Sequence, residues 1–199
     1  NHPERILFEY LQAIIHLIEY NQPSCEHIFI IGHGIGTIAN QFPDKHVKTA
    51  EISEKIVEIS QTFFGYNRNN VVIGDGLRIL EGEDPDLYDF IVLDAFTEKG
   101  TPKHFMTRDF FRTTRAKLNS EGAIILNLIG RGTNDDFLKA IHTTLNQEFK
   151  YTKTFSFSTE MSHDTKNILM VGSNHPIGFR ERNMAGFMEI ELEPGHIIT

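Results

Sequence analysis

Residues 28–37, with the sequence I-F-I-I-G-H-G-I-G-T, constrain the fold more than any other part of this chain. Four apolar residues, typical of a buried parallel strand, lead directly into glycines with the spacing G-x-G-x-G. These glycines are Gly32, Gly34 and Gly36. Glycines at such a point let the backbone approach a ligand closely, which is how doubly wound α/β domains hold nucleotides and nucleosides. A second apolar run, 47–52, follows about one helix later and carries Glu51 near its end, where such domains place the acid that binds ribose hydroxyls.

Strand-like and helix-like segments alternate along almost the whole chain, and this order predicts a mainly parallel sheet with helices on both faces. The predicted strands are 27–31, 47–52, 71–73, 89–93, 123–128, 151–157 and 167–171. The predicted helices are 5–20, one that starts within 36–41, one from the cap Ser53 to about Phe64, one from the cap Thr107 through Leu118, and 134–149. We therefore expect one domain over residues 1–171. The segment 172–199 is rich in Gly, Pro and charge, and we expect a surface tail or an arm to a neighbouring subunit.

The composition favours a compact enzyme or binding domain and argues against several other classes. A formal net charge of -8 disfavours a broad surface for nucleic acid or anionic lipid, because such surfaces need clustered Lys and Arg. No apolar segment reaches membrane-spanning length, the N-terminus lacks the layout of a secretory signal, and Cys25 is the only cysteine. We expect a cytoplasmic protein whose partner is a small molecule, with neither nucleic acid nor a membrane as a partner.

Three carboxylates follow successive predicted strands: Glu51, Asp75 and Asp94. The carboxyl ends of parallel strands meet at one edge of the sheet, where open α/β sheets bind ligands. Each acid alone could equally cap the following helix or stay solvated, and each glycine could serve only a tight turn or close packing. Three acids in successive crossovers, together with the glycine loop, favour a shared ligand. The ten histidines lack metal-ligand spacing, so we expect no metal site, although His33 and His104 could border the pocket.

Several motifs, in this order along residues 3–171, carry a resemblance to a known family. They are the pair Glu9 and Tyr10, I-I-G-H-G-I-G, A-E-I, V-I-G-D-G-L, Y-D-F-I-V-L-D-A-F, T-P-K-H-F-M-T-R-D-F-F and L-N-S-E-G-A-I-I-L-N. With this order and spacing the chain resembles the spermidine synthase-like, or polyamine aminopropyltransferase-like, branch of the class I S-adenosylmethionine-dependent transferases. The resemblance implies a doubly wound seven-strand α/β sheet of the class I methyltransferase, Rossmann-like type, mainly parallel with an antiparallel last strand. It also implies S-adenosylmethionine or decarboxylated S-adenosylmethionine as co-substrate, no metal, and a homodimer.

The resemblance assigns co-substrate contacts to the glycine loop and to the end of the second strand. Gly32, Gly34 and Gly36 would pass beneath the amino acid part of the co-substrate. Glu51 would accept hydrogen bonds from both ribose hydroxyls, which suits a carboxylate because it offers two acceptor oxygens. Ile52 would pack on the face of the adenine.

The resemblance also assigns roles to residues at the ends of the third and fourth strands. Asp75 is similar to the family's adenine-recognising aspartate, and Gly76 and Leu77 would complete that wall. Asp94 matches the family's catalytic aspartate, which helps deprotonate an attacking amine and stabilises its positive charge. The candidate substrate-facing residues are Tyr10, Phe96 and Thr97.

Three departures from the family pattern concern the polyamine end of the site. Polyamine synthases usually have an aspartate at the position of Ile35, which attracts the ammonium of decarboxylated S-adenosylmethionine and disfavours the intact form. They usually have a second aspartate three positions after the catalytic one, where this chain has Thr97, so a diamine would lose a counter-charge. The N-terminal β-hairpin domain of such synthases has no counterpart before Asn1: either it has been trimmed or the protein does without it.

These matches and departures leave three functions open. The first is a spermidine synthase-like transferase with degenerate polyamine-site residues and Asp94 as the base. The second is a small-molecule methyltransferase on the same scaffold, and the third is a nucleoside-binding protein without catalysis. A nicotinamide dehydrogenase ranks lower because the loop lacks the last spacing of G-x-G-x-x-G. A base-modifying methyltransferase ranks lower because D-A-F-T replaces the usual N/D-P-P-Y/F after the fourth strand.

Overall fold

A single eight-stranded sheet organises residues 8–98, 100–157 and 165–199, the parts of the chain that this computed structural model describes. Its strands are β1 (His27–Ile31), β2 (His46–Glu51), β3 (Val71–Ile73), β4 (Tyr88–Leu93), β5 (Leu118–Gly130), β6 (Tyr151–Phe157), β7 (Lys166–Ser173) and β8 (Phe187–Ile190). They lie in the order β3-β2-β1-β4-β5-β7-β6-β8. The first five strands are parallel, β7 is antiparallel to β5 and β6, and β8 is antiparallel to β6.

Helices cover both faces of the sheet because the central strands are apolar on both sides. The helices are α1 (Glu9–Asn21), α2 (Thr37–Asn40), α3 (Glu54–Phe64), α4 (Gly76–Glu81), α5 (Arg108–Lys117) and α6 (Asp136–Leu145). On β1, Ile28 and Ile30 pack with α1 and α2, whereas Phe29 and Ile31 pack with α4, α5 and α6 on the opposite face. No helix in the described ranges is both long and apolar enough to cross a membrane.

The predicted α/β class and the mostly parallel sheet with antiparallel C-terminal pairing are confirmed, but the predicted number of seven strands was wrong. The additional strand, β8, lies inside the segment 172–199 and pairs with β6 over four residues of each strand. The ring of Phe187, which is buried, packs edge-on against the ring of Phe157 at a centroid distance of 5.6 Å. A four-residue strand between Gly-rich and charged stretches has too few residues to establish a period in the sequence, so only this long-range pairing reveals it.

Several other predicted elements have different boundaries in the structure. Strand β5 extends the prediction 123–128 at both ends, and α6 is shorter than the predicted 134–149. The first helix begins at Glu9, and residues 5–7 of its prediction lie outside the described residues. Thr107 caps α5 as expected, since its hydroxyl accepts a hydrogen bond from the Phe110 N–H. Ser53 occupies the cap position of α3, but its side chain makes no capping hydrogen bond.

Asp89, at the start of β4, accepts hydrogen bonds from the ends of neighbouring elements. Its buried carboxylate accepts hydrogen bonds from Gln22 Nε2 (2.6 Å), the Glu26 N–H (2.7 Å), the His27 N–H (2.8 Å) and Asn119 Nδ2 (2.7 Å). Burial opposes ionisation of this carboxyl, but the backbone and side-chain donors outweigh burial and hold the pKa of Asp89 below its usual range. The ionised carboxylate therefore stabilises the amino-terminal side of the sheet.

Replacing Asp89 by Asn should lower the free energy of unfolding by about 1–3 kcal/mol, because an amide cannot satisfy the same four donors. The stabilisation by Asp89 is fully present above the ordinary carboxyl pKa of about 3.9 and is lost as the pH falls through the lower folded-state pKa. Urea denaturation at several pH values would therefore show a smaller difference between wild type and variant in acid. Asp109→Asn, at an exposed carboxylate paired with Arg112, serves as the control and should change stability by less than about 0.5 kcal/mol. Equal losses in both variants would contradict the assignment.

Candidate functional site

The carboxyl ends of β1, β2, β3 and β4 border a cavity of about 400 Å³, which we call the edge cavity. The turn Lys103–Met106 closes one side of it, with His104 and Phe105 in the lining. Most of the residues singled out from the sequence line it together: Gly32, Gly34, Glu51, Ile52, Asp75, Gly76, Asp94, Phe96 and Thr97. The four crossovers therefore converge as the strand-end pattern predicted.

The three glycines of the loop have different reasons to lack a side chain, although all three have a positive φ. A Cβ on Gly32 would clash with the backbone carbonyl of Asp94, and one on Gly36 would clash with the ring of Tyr66. A Cβ on Gly34 would meet nothing within 4 Å. Close packing therefore explains Gly32 and Gly36, and Gly34 is the position where the missing side chain leaves open space beside the cavity.

Gly32→Ala should lower the free energy of unfolding by about 2–5 kcal/mol, since it adds a backbone clash to the cost of a positive φ. Gly34→Ala has only the cost of a positive φ and should lower the free energy of unfolding by about 1–2 kcal/mol. Chemical denaturation followed by circular dichroism would measure both values. The packing argument fails if the two variants are equally stable.

Glu51 is held by backbone donors on both of its carboxylate oxygens. Oε2 accepts a hydrogen bond from the His33 N–H and Oε1 accepts one from the Ser53 N–H, both at 2.9 Å. The carboxylate is thus buried and oriented, and each oxygen keeps a second lone pair. This arrangement suits a donor pair such as a vicinal diol.

Asp75 caps the helix that follows it and also lines the edge cavity. Its Oδ1 caps α4 by accepting a hydrogen bond from the Arg78 N–H at 3.0 Å, and its Oδ2 lies 3.4 Å from His104 Nε2. The neighbouring Gly76 lines the edge cavity, where a Cβ would clash with the side chain of Ile31. The side chain of Leu77 instead packs against the hydrophobic core, and Leu77 is not among the residues that line the cavity.

Asp94 is positioned by a chain of two amides that the sequence analysis missed. Asn127 Nδ2 donates to Asp94 Oδ1 at 2.8 Å, and Asn167 Nδ2 donates to Asn127 Oδ1 at 2.9 Å. Because the Asn127 oxygen is occupied by Asn167, its N–H group points to Asp94. Burial raises the pKa of Asp94, and the bond from Asn127 opposes that rise. An asparagine within the apolar strand A-I-I-L-N-L was the available sequence signal, since a buried amide needs partners.

Asn127→Leu should raise the pKa of Asp94 further, because the variant removes the donor that stabilises the carboxylate. A hydrogen bond to a charged group stabilises that charge, so its loss favours the protonated carboxyl. Titration of the aspartate side-chain carbon resonances by NMR would measure the shift. Asn119→Leu removes a similar bond of 2.7 Å to Asp89 and should leave the Asp94 titration unchanged. An unshifted Asp94 in Asn127→Leu would contradict the proposed positioning.

A second cavity, of about 460 Å³, lies on the α1 side of the glycine loop, and we call it the α1 cavity. It shares Gly32, Gly34 and Asp94 with the edge cavity, so the Asp94 carboxylate borders both. Tyr10 lines only the α1 cavity, whereas the other two predicted substrate residues, Phe96 and Thr97, line only the edge cavity. Burial and the nearby charge of Asp94 raise the pKa of the Tyr10 hydroxyl, which therefore stays protonated near neutral pH.

His33 anchors the glycine loop to α3. Its Nε2 lies 2.8 Å from Ser60 Oγ, and the Ser60 hydroxyl itself donates to the Val57 carbonyl, so Nε2 is the donor. The ring packs edge-on against Tyr66 at a centroid distance of 4.5 Å. Burial lowers the pKa of His33, while Glu51 opposes this shift, so the imidazole is neutral near neutral pH. In the described residues, no group of three or more His, Cys, Asp or Glu is arranged to hold a metal ion.

Sequence similarity to known proteins identifies the family of this chain. The sequence model of the family described as "Spermine/spermidine synthase domain" matches residues 7–181. The chain belongs to this family. It is 30% identical over 155 residues to a polyamine aminopropyltransferase of Vibrio vulnificus, covering 73% of this chain and 52% of the relative. It is 26% identical over 175 residues to putrescine N-methyltransferase 2 of Nicotiana attenuata, covering 82% of this chain and 47% of that protein.

Solved structures of the same fold extend the comparison. A probable spermidine synthase from Corynebacterium glutamicum superposes with a TM-score of 0.78 at 20% identity, covering 87% of this chain and 66% of that chain. Human methyltransferase-like protein 13, solved in complex with SAH, superposes with a TM-score of 0.67 at 20% identity. The match covers 88% of this chain and 90% of that chain. These structures support the fold, and this member of the spermidine synthase family spans about half the length of the curated relatives that it matches.

Ile35 and Thr97, the two positions at which the sequence analysis expects a departure from the family pattern, lie in different cavities. Ile35 lines the α1 cavity and is partly exposed there. Thr97 lines the edge cavity and exchanges two backbone hydrogen bonds with Gly100, to which its hydroxyl also donates. An aspartate at position 35 would add a charge to the α1 cavity, whereas Thr97 stabilises a turn beside the edge cavity.

Proposed function

We propose that this chain is a transferase that binds an S-adenosylmethionine-type nucleoside in the edge cavity and transfers an alkyl group to a small amine at Asp94. The observation that carries the proposal is the position of Asp94, at the junction of a cavity with nucleoside-binding features and a cavity open on the α1 side. A group at such a junction can contact both an alkyl donor and its acceptor.

The lining of the edge cavity fits an adenosine group on three counts. The Glu51 carboxylate is fixed by two backbone donors and keeps acceptor capacity for the ribose hydroxyls. The side chain of Ile52 is 71% exposed beside the cavity, where an apolar ring would cover it. Gly34 leaves the space in which the rest of the co-substrate would pass.

Asp94 would receive the amine and its proton. Asn127 engages Oδ1, and Oδ2 is the oxygen that the acceptor ammonium would approach. The raised pKa of Asp94 makes its carboxylate a stronger base than a solvated aspartate, which suits proton removal from an amine. When bound, the co-substrate supplies a carbon already activated by its sulfonium, so the protein contributes alignment and the base.

Methyl transfer from intact S-adenosylmethionine is the form of this activity that Ile35 favours. The usual aspartate at this position would repel the carboxylate of the intact co-substrate, and Ile35 removes that repulsion. The similarity to proteins named putrescine N-methyltransferase supports the same choice. Aminopropyl transfer, as named for the Vibrio vulnificus relative, requires the decarboxylated form and is the competing outcome.

Isothermal titration calorimetry with S-adenosylmethionine, its decarboxylated form and methylthioadenosine tests the proposal. We expect saturable binding, with the intact form bound at least about tenfold more tightly than the decarboxylated form, a difference of about 1.4 kcal/mol. Glu51→Gln should weaken binding of methylthioadenosine by a similar factor, because the ribose contact is lost. Glu54→Gln removes a charge from an exposed neighbour outside the cavity and should have no effect.

Two further measurements separate the alternatives. The 2′-deoxy analogue of methylthioadenosine should bind the unmodified protein more weakly than methylthioadenosine, which tests the ribose contact without relying on a variant. Transfer to an amine should be abolished in Asp94→Asn. The nucleoside assignment fails if none of the three compounds binds, and binding without turnover across an amine panel would favour a protein without catalysis.

A further inference from the structure

Among the described residues, one carboxylate and several large apolar side chains line the α1 cavity, and this combination points to the class of acceptor. Resting on the proposed function, we infer that the acceptor is a primary monoamine with an apolar body, rather than a diamine. Its ammonium group lies at Asp94 and its hydrocarbon or aryl part lies against the side chains of Phe8, Tyr10 and Phe64.

The charge of the cavity is the first argument. Among the described residues that line the α1 cavity, Asp94 is the only carboxylate, and none is Lys or Arg. A diamine bound at Asp94 would leave its second ammonium group without a counter-charge in this cavity. Removing that charge from water without a partner is costly, so the second ammonium would weaken binding.

The apolar walls are the second argument. Phe8 and Phe64 are 52% and 54% exposed, respectively, at positions where both line the cavity. Leu11 and Ile38 continue the apolar surface. A hydrocarbon or aryl group in the cavity would cover these side chains and gain the free energy of removing apolar area from water.

Tyr10 connects the apolar wall to the charged end. Its ring stacks with Phe8 at a centroid distance of 5.9 Å, and its hydroxyl is close enough to Asp94 for the two to interact electrostatically. Because the hydroxyl stays protonated, Tyr10 adds no second negative charge.

Hexylamine and 1,6-diaminohexane test this inference because they share the same chain and differ only in the terminal group. Each amine is titrated into the unmodified protein by calorimetry, with and without methylthioadenosine. We expect hexylamine to bind at least tenfold more tightly than the diamine. Equal or tighter binding of the diamine, or no saturable binding of hexylamine in either condition, overturns the inference.

Two neighbouring phenylalanines provide a matched pair of variants. Phe64→Ser should weaken hexylamine binding about fivefold or more, whereas Phe63→Ser should leave it unchanged, because Phe63 is 75% exposed and is not among the lining residues. Phe64→Glu adds a second carboxylate at the cavity and should move the preference toward the diamine. Thermal unfolding of each variant verifies that it is folded, and equal effects of Phe63→Ser and Phe64→Ser would count against the inferred wall.

The inference and the proposed function can fail separately. Loss of nucleoside binding refutes the proposed function, whereas nucleoside binding with a preference for the diamine refutes only the acceptor class. A preference for hexylamine that disappears in Phe64→Ser and reverses in Phe64→Glu supports the acceptor class directly.

Discussion

The close approach of Gly32 to the backbone of Asp94 is the constraint on which the rest of the site depends. The loop after β1 is tied on both sides, because the Gly32 N–H donates to the Ala50 carbonyl at 2.9 Å and the Asp94 N–H donates to the Ile31 carbonyl at 2.8 Å. A side chain at Gly32 would occupy the space of the Asp94 carbonyl, so this contact requires a glycine. It brings the glycine loop and the end of β4 together and thereby makes Asp94 the boundary of two cavities.

The aspartates at the two ends of β4 show how one strand can position groups for both stability and chemistry. Asp89 accepts four hydrogen bonds and has a lowered pKa, so its charge is fully satisfied by the fold. Asp94 accepts one bond from Asn127, and burial raises its pKa. The difference comes from the ends of the parallel strand. The amino-terminal end is enclosed by α1 and the start of β1, while the carboxyl end opens toward the cavities, where a carboxylate keeps the capacity to bind a partner.

The division of the site into two cavities connects the family membership with the proposed acceptor. Six of the eight residues that resemble co-substrate contacts line the edge cavity, and Ile35 lies in the α1 cavity. A family scaffold that keeps one half of its site and changes the charge of the other half would retain its co-substrate type while changing the amine that it accepts. Specificity of this kind depends on the number of counter-charges as much as on the shape of the cavity.

The sequence by itself determined the class of fold, the first four strand positions and the edge of the sheet at which the acids converge. These features follow from local patterns, since an apolar run, a glycine loop and an acid at a strand end are each contained in a few consecutive residues, such as those from Ile28 to Gly36. Only the tertiary structure decided which glycine leaves open space, that Leu77 packs into the core, and that β8 joins the sheet. It alone also connected Asp94 to Asn127, which lies 33 residues later in the chain, and Asn127 to Asn167, which lies another 40 residues later. The physical reason is the same in each case: these features depend on contacts between residues distant in sequence, and no local period encodes such contacts.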